Sequence, residues 1–224
     1  MQRLTRNPAT FANQAFVDRR LAAILAADVV GFSRMIGMDE VGMLRSLRTL
    51  RSELVEPFIE GQGGRIFKLM GDGMLAEFPS AVWALRAAIE IQTSLKERNA
   101  DFPADGRLEM RMAVHQGDVV LDRGDLLGAT VNIAARLESL AEPGGICISG
   151  RVYEDAVGNI ALDVEDMGER KLKNVGRPVR VYRLNPDRLG SPVANAQRQP
   201  RAEARRVVSG TWSNAAPWDE ELKA

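Results

Sequence analysis

The segment LAAILAADVV, residues 21–30, restricts the folds open to this chain more than any other part of its sequence. Its apolar residues run without alternation up to Asp28, which is typical of a β-strand buried on both faces. A carboxylate is therefore expected where a buried strand finishes, and Asp28 either ends the strand there or binds a ligand. Gly31, Phe32 and Ser33 follow in a turn whose backbone N–H groups could bind phosphate oxygens.

A second carboxylate lies in a predicted β-hairpin. The apolar runs RIFKLM (65–70) and MLAEF (74–78) flank a short turn that contains Asp72, and an Asp-Gly turn between two such runs predicts a hairpin. If the hairpin neighbours the buried strand, Asp72 and Asp28 converge, and oxygen ligands of this kind suit Mg²⁺ or Mn²⁺. The alternative is that Asp72 only serves the turn, where Asp is common.

The third informative segment is DLLGATVNIAAR, residues 125–136. Asn132 and Arg136 are four residues apart, so on a helix they lie on the same face. The guanidinium of an arginine matches the geometry of phosphate, and an asparagine amide can hold a sugar oxygen. The alternative interpretation is a solvated polar stripe on a surface helix.

The remaining patterns complete an α+β fold with a ferredoxin-like βαββαβ core, followed by extra C-terminal strands and helices. Helices are predicted for residues 39–60 and 128–141 and for a segment that begins after Ser80, and strands for residues 108–120, 146–149 and 178–184. This order of elements predicts a mostly antiparallel sheet with helices packed on one face.

The chain divides into three parts by composition. Residues 1–19 form a polar leader that could be helical, residues 20–184 a folded domain, and residues 185–224 a tail rich in Pro, Ala, Arg and Gln that is predicted to be flexible.

Charge and cysteine content exclude several classes of protein. Thirty basic residues balance thirty acidic ones, which argues against a nucleic-acid or membrane-surface partner. The single cysteine, Cys147, cannot form an internal disulfide and is interpreted as a small buried apolar residue. The single histidine, His115, lies in an alternating strand and is interpreted as a hydrogen-bonded structural residue. With no apolar run long enough to span a bilayer, a cytoplasmic location is expected.

Three blocks of the sequence, RLAAILAADVVGFSRM, GGRIFKLMGDGMLAEF and DLLGATVNIAARLE, resemble the signature blocks of class III nucleotide cyclases. Enzymes of this family convert a purine nucleoside triphosphate into its 3′,5′-cyclic monophosphate and pyrophosphate. The resemblance runs from about Arg20 to Leu184 and implies the activity of an adenylate cyclase.

The resemblance also implies the roles of individual residues. Asp28 and Asp72 match the two aspartates that bind two divalent cations, Mg²⁺ or Mn²⁺, with the Val29 carbonyl as a further ligand. Asn132 and Arg136 match the pair that orients the ribose and stabilises charge in the transition state.

Further positions are implied to bind the two ends of the nucleotide. Lys68 and Asp125 match the pair that reads the purine, and Lys173 matches the lysine that holds the terminal phosphates. The family usually has glycine after this lysine, whereas Asn174 follows here. Because asparagine tolerates left-handed backbone better than most residues, the turn can survive this difference.

The resemblance finally implies a head-to-tail homodimer with ATP as substrate, in which each site takes its metal aspartates from one subunit and its other groups from the second. Two alternatives stay open, namely a guanylate cyclase and a catalytically silent nucleotide-binding module of the same fold. The Gly-Gly-Asp/Glu-Glu-Phe motif of diguanylate cyclases is absent, since the hairpin reads Gly71-Asp72-Gly73.

Overall fold

A computed structural model of the protein describes residues 19–103 and 106–184. The predicted tail lies outside the described residues, as does the predicted leader apart from Arg19. The strands are β1 (Arg19–Val29), β2 (Arg65–Met70), β3 (Gly73–Phe78), β4 (Met110–Asp122), β5 (Asp125–Leu127), β6 (Ile146–Ser149), β7 (Val164–Arg170) and β8 (Val179–Leu184). The helices are α1 (Phe32–Ile36), α2 (Glu40–Leu50), a π segment (Arg51–Val55), α3 (Glu56–Gly61), α4 (Ala81–Ala100), α5 (Ala129–Glu138) and α6 (Gly150–Ala156).

One sheet connects all the strands, in the order β2-β3-β1-β4-β6-β8-β7, with β5 paired to β4. Strand β4 runs parallel to β6, and the other pairs are antiparallel. The first four strands, with the helices between them, form the predicted βαββαβ arrangement. The α+β, ferredoxin-like fold class is therefore confirmed, and β5 to β8 are additions to its core.

Strand β1 lies between β3 and β4 and is buried on both of its faces, as its apolar run predicts. On one face, β1 packs with helices α2, α3, α4 and α6 in the larger core through Ala23, Leu25 and Ala27. On the other face, Ile24 packs with Ala134 of α5 in a separate cluster. The expectation that all helices lie on one face was therefore wrong. An apolar run without alternation buries two faces, and each of them needs a helix to cover it.

The helix predicted over residues 39–60 is interrupted by the π segment Arg51–Val55. The buried residues Leu50, Leu54, Val55 and Ile59 all reach the core in spite of this interruption. The wider π turn inserts one extra residue between two α-helical stretches, which a pattern of apolar spacing alone does not reveal.

Ser80 lies at the N-cap position of α4, but its side chain makes no capping hydrogen bond. The Gln116 side chain caps the helix instead, because its Oε1 accepts a hydrogen bond from the Ala81 N–H. None of the described helices has both the length and the hydropathy that crossing a bilayer requires.

His115 and Cys147 are both buried in the sheet, as their interpretation as structural residues predicts. The Nδ1 atom of His115 shares a hydrogen bond of 2.8 Å with Ser149 Oγ. Burial, together with the positive charge of Arg151, lowers the pKa of His115 to about 4. The imidazole is thus neutral in the folded protein at pH 7.

We predict that replacing His115 with glutamine removes part of the acid sensitivity of the fold. Since the pKa of His115 is lower in the folded than in the unfolded chain, its contribution is present above pH 6.5 and is lost as the pH falls towards 4. Between pH 7 and pH 5 the wild-type free energy of unfolding should fall by about 2 kcal/mol more than that of His115→Gln. Urea unfolding at both pH values measures this difference, and an equal loss in both proteins would contradict it.

Candidate active site

The register of β1 and β3 brings the two predicted aspartates together. Ala27 pairs with Met74, so the end of β1 lies beside the tip of the β2–β3 hairpin. A Cβ atom added to Gly73 would lie 3.9 Å from the Cβ of Asp28. Asp28 and Asp72 therefore line the same open cleft, which has a volume of about 210 Å³.

Arg111 of β4 binds Asp28 through two hydrogen bonds. Its Nη2 donates to Asp28 Oδ2 at 2.8 Å and its Nε to Asp28 Oδ1 at 3.2 Å. The two residues are directly paired across β1 and β4, where side chains on the same face are close neighbours. The carboxylate raises the pKa of Arg111, which stays charged. Sequence reasoning missed Arg111, because the register of β4 against β1 cannot be read from either strand alone.

Glu138, the last residue of α5, is the second residue that sequence reasoning missed. It lines the same cleft, and its Oε1 lies 3.3 Å from the Nε of Arg111. This oxygen is buried and has no hydrogen-bond partner among the described residues. Burial raises the pKa of Glu138. A hydrogen bond to Asp28 and the negative charge of Asp28 raise this pKa as well, whereas the positive charge of Arg111 lowers it.

The position of Glu138 follows from helical geometry. It comes two residues after Arg136, and residues with that spacing point in different directions from a helix. Arg136 is exposed, whereas Glu138 is turned towards the sheet. The sequence therefore contained a signal for Glu138, namely an acidic residue two positions after the predicted Arg136.

The residues that line the cleft fit a hard divalent cation. The donors are carboxylate oxygens together with nearby backbone carbonyls, the ligands that Mg²⁺ and Mn²⁺ prefer. Within the described part of the chain, no three acidic, histidine or cysteine side chains form a complete metal-ligand group. Mg²⁺ is commonly held by one or two carboxylates and completed by substrate phosphates and water, so two aspartates are sufficient donors from the protein.

Lys68 and Asp125, predicted to read a purine, form an ion pair. Lys68 Nζ donates to Asp125 Oδ2 at 2.6 Å, and Asp125 Oδ1 accepts a hydrogen bond from the N–H of Leu126. The hydrogen bond from Lys68 lowers the pKa of Asp125, which is therefore ionised at neutral pH. Both side chains are more than a third exposed, so they remain accessible to a ligand.

Asn132 and Arg136 are both exposed on α5, and their spacing of four residues places them on the same face of this helix. Neither residue lines the cleft of Asp28 and Asp72, where α5 contributes Ala135 and Glu138. Within one chain, therefore, the structure does not bring this predicted pair together with the predicted metal aspartates.

The other predicted residues lie on loops at the surface or beside β1. Lys173 is exposed between β7 and β8, and Asn174 after it is left-handed with a φ of 63°, as expected of the residue that replaces glycine. Gly31 is also left-handed, with a φ of 70°, and it precedes the short helix α1.

Three further predicted residues lie at the end of β1 and the start of α1. Ser33 is exposed, Phe32 packs partly on the core, and Val29 is buried. The first N–H groups of a helix have no partner within it, so those of Phe32 and Ser33 are available to a ligand.

Comparison with known proteins gives a family match over residues 19–186, to the adenylate and guanylate cyclase catalytic domain. The chain is 42% identical over 177 residues to a Rhizobium meliloti protein named "Putative adenylate cyclase 3". That match covers 79% of this chain and 30% of the relative. An adenylate cyclase of Streptomyces coelicolor is 30% identical over 149 residues, which is 65% of this chain and 36% of the relative. The chain thus spans about a third of the length of these relatives.

Two solved structures are similar over most of the described residues. An adenylate/guanylate cyclase/hydrolase from Silicibacter pomeroyi has a TM-score of 0.71 at 43% identity, over 75% of this chain and 98% of that chain. The adenylyl cyclase CyaB from P. aeruginosa has a TM-score of 0.65 at 27% identity, over 75% and 95% of the two chains. Since the family match covers most of the sequence, the chain belongs to the class III adenylate and guanylate cyclase catalytic domain family.

Proposed function

We propose that the protein is an adenylate cyclase, which converts ATP into 3′,5′-cyclic AMP and pyrophosphate, and that residues 20–184 form its catalytic domain. The observation that carries this proposal is the ion pair between Lys68 and Asp125. It holds one side chain that can only donate hydrogen bonds beside one that can only accept them.

This pair complements adenine and not guanine. Adenine presents an acceptor at N1 and a donor at its 6-amino group, which match the Lys68 ammonium and the Asp125 carboxylate. Guanine reverses both positions, so donor would face donor and acceptor would face acceptor. A buried mismatch costs about 1–3 kcal/mol per group, and two mismatches give a preference for ATP of about a hundredfold or more.

The cleft lined by Asp28 and Asp72 is the proposed site for two divalent cations, Mg²⁺ or Mn²⁺, with the Val29 carbonyl as a further ligand. Bound there, the cations supply positive charge that lowers the pKa of the ribose 3′-hydroxyl and neutralises the phosphates. Arg111 balances the charge of Asp28 when the carboxylate has no other cation beside it.

In the reaction, the ribose 3′-oxygen attacks the α-phosphorus, its proton passes to solvent, and the bond to the pyrophosphate leaving group breaks. Asn132 orients the ribose and Arg136 stabilises the negative charge that grows on the α-phosphoryl oxygens. Lys173 binds the departing pyrophosphate, and the N–H groups of the turn at Gly31, Phe32 and Ser33 contact the phosphates.

Each complete site is proposed to lie between two subunits of a head-to-tail homodimer. Support comes from the exposure of Asn132 and Arg136, neither of which lines the cleft of Asp28 and Asp72 in the same chain. A second copy can supply this pair to the cleft, and two-fold symmetry then generates two equivalent sites.

The proposal is tested by incubating the protein with Mn²⁺ and either ATP or GTP and measuring both cyclic products. Cyclic AMP should dominate. Dominant cyclic GMP would favour a guanylate cyclase. A solved structure of the guanylyl cyclase Cya2 is 29% identical to this chain, with a TM-score of 0.63. The absence of both products would favour a silent nucleotide-binding module.

One prediction of this proposal concerns purine selectivity. Replacing Lys68 with glutamate and Asp125 with alanine, as one double variant, removes the donor and places an acceptor opposite the purine. The ratio of kcat/KM for ATP to that for GTP should then fall by about tenfold to a hundredfold. Kinetics with both nucleotides side by side measure this ratio, and unchanged selectivity would refute the proposed role of the pair.

Another prediction of this proposal concerns the shared site. Asp28→Ala and Arg136→Ala should each be inactive alone, whereas an equal mixture should regain about one quarter of wild-type activity. Half of the randomly formed dimers are mixed, and each of these has one intact site and one doubly damaged site. Native mass spectrometry establishes that subunits exchange. Exchange without recovered activity would rule out sites shared between subunits.

A further inference from the structure

Arg51 links the helical layer to the tip of the β2–β3 hairpin. Its Nη2 donates a hydrogen bond of 2.5 Å to the carbonyl of Gly71 and lies 3.5 Å from the carbonyl of Gly73. These carbonyls belong to the residues on either side of Asp72. The guanidinium therefore contacts the backbone of the turn that presents this aspartate.

The turn has few other restraints. Met70 pairs with Gly73, so Gly71 and Asp72 are the only residues between the paired strand ends. Gly71 is exposed and left-handed, with a φ of 63°. A Cβ atom added to Gly71 would meet no other group within 4 Å. Among the described residues, the hydrogen bonds from Arg51 join this turn to the helical layer.

Arg51 is placed there by the interruption of the long helix. It is the first residue of the π segment Arg51–Val55, and its neighbour Leu50 is buried in the core. Turns of this kind are frequent at functional sites because they change the direction of nearby side chains. Partial burial lowers the pKa of Arg51, whereas the charges of Asp72 and Glu56 raise it, so Asp72 is within electrostatic range of the guanidinium.

We propose that Arg51 is a positioning residue for the cation site, because its two backbone contacts hold the hairpin tip so that Asp72 faces the cleft of Asp28. This inference rests on the proposed function, in which Asp72 is a cation ligand. Replacing a residue that holds a metal ligand in place commonly changes the metal affinity by about tenfold to a hundredfold.

The sign of the effect separates positioning from simple electrostatics. Arg51 carries a positive charge near Asp72, so its removal should strengthen cation binding if charge alone mattered. If Arg51 positions the turn, its removal should weaken cation binding in spite of the lost repulsion. The two explanations thus predict changes in opposite directions.

The experiment measures Mn²⁺ binding to the full chain by electron paramagnetic resonance of the free ion, without nucleotide. We expect Arg51→Gln to bind Mn²⁺ about tenfold to a hundredfold more weakly than the wild type. Arg48→Gln, which removes an exposed charge three residues earlier on α2, is the matched control and should bind like the wild type. Arg51→Lys should bind Mn²⁺ more tightly than Arg51→Gln, because a single nitrogen makes both contacts and an ammonium group carries three N–H donors.

Hydrogen exchange provides a second measurement that does not depend on the metal. Amides of residues 70–74 should exchange faster in Arg51→Gln than in the wild type or Arg48→Gln, while the core strands keep their protection. Unchanged exchange together with equal or tighter Mn²⁺ binding would overturn the positioning role.

Asp72→Asn separates failure of this inference from failure of the proposed function. If the wild type and Asp72→Asn bind Mn²⁺ alike, Asp72 is not a cation ligand, and both proposals are wrong. If Asp72→Asn loses binding and Arg51→Gln keeps it, the cation site stands and only the role of Arg51 is refuted.

Discussion

The antiparallel pairing of β1 with β3 and β4 is the constraint on which the rest of the site depends. Because β1 is buried on both faces, a charged residue fits only near its end, where Asp28 lies. Pairing with β4 puts Arg111 directly beside Asp28. Pairing with β3 puts the turn that contains Asp72 beside the end of β1 where Asp28 lies. Two neighbours in one sheet thus supply a counter-charge and a second carboxylate.

The cleft groups three acidic side chains beside Arg111. Asp28, Asp72 and Glu138 line it together, and the pKa of Glu138 is raised mainly by burial and secondarily by Asp28. Carboxylates crowded in this way repel one another unless a proton or a cation lies between them. The raised pKa of Glu138 indicates that a proton relieves this repulsion when no cation is bound, and a divalent cation in the cleft would take the place of that proton.

Local patterns predicted the individual elements well but not their relations. The apolar runs give β2 and β6 the bounds that the structure has, and the uninterrupted run identifies β1 as doubly buried. Strand register, in contrast, is decided by packing across the whole sheet, so nothing in the sequence of β4 revealed that Arg111 pairs with Asp28. The second helix-covered face, in contrast, was implied by the apolar run of β1, because a strand buried on both faces needs a helix over each of them.

The proposed division of the site follows from where one chain can place its groups. Lys68 and Asp72 are four residues apart on one hairpin, yet Lys68 pairs with Asp125 on β5 while Asp72, in the turn after β2, lines the cleft. We therefore propose that a nucleotide whose base contacts Lys68 places its phosphates at the Asp72 of the other chain. Asn132 and Arg136 are exposed on α5 and do not line that cleft either. A second subunit resolves both separations at once, since it can bring the base-reading and ribose-orienting groups of one chain to the acidic cleft of the other.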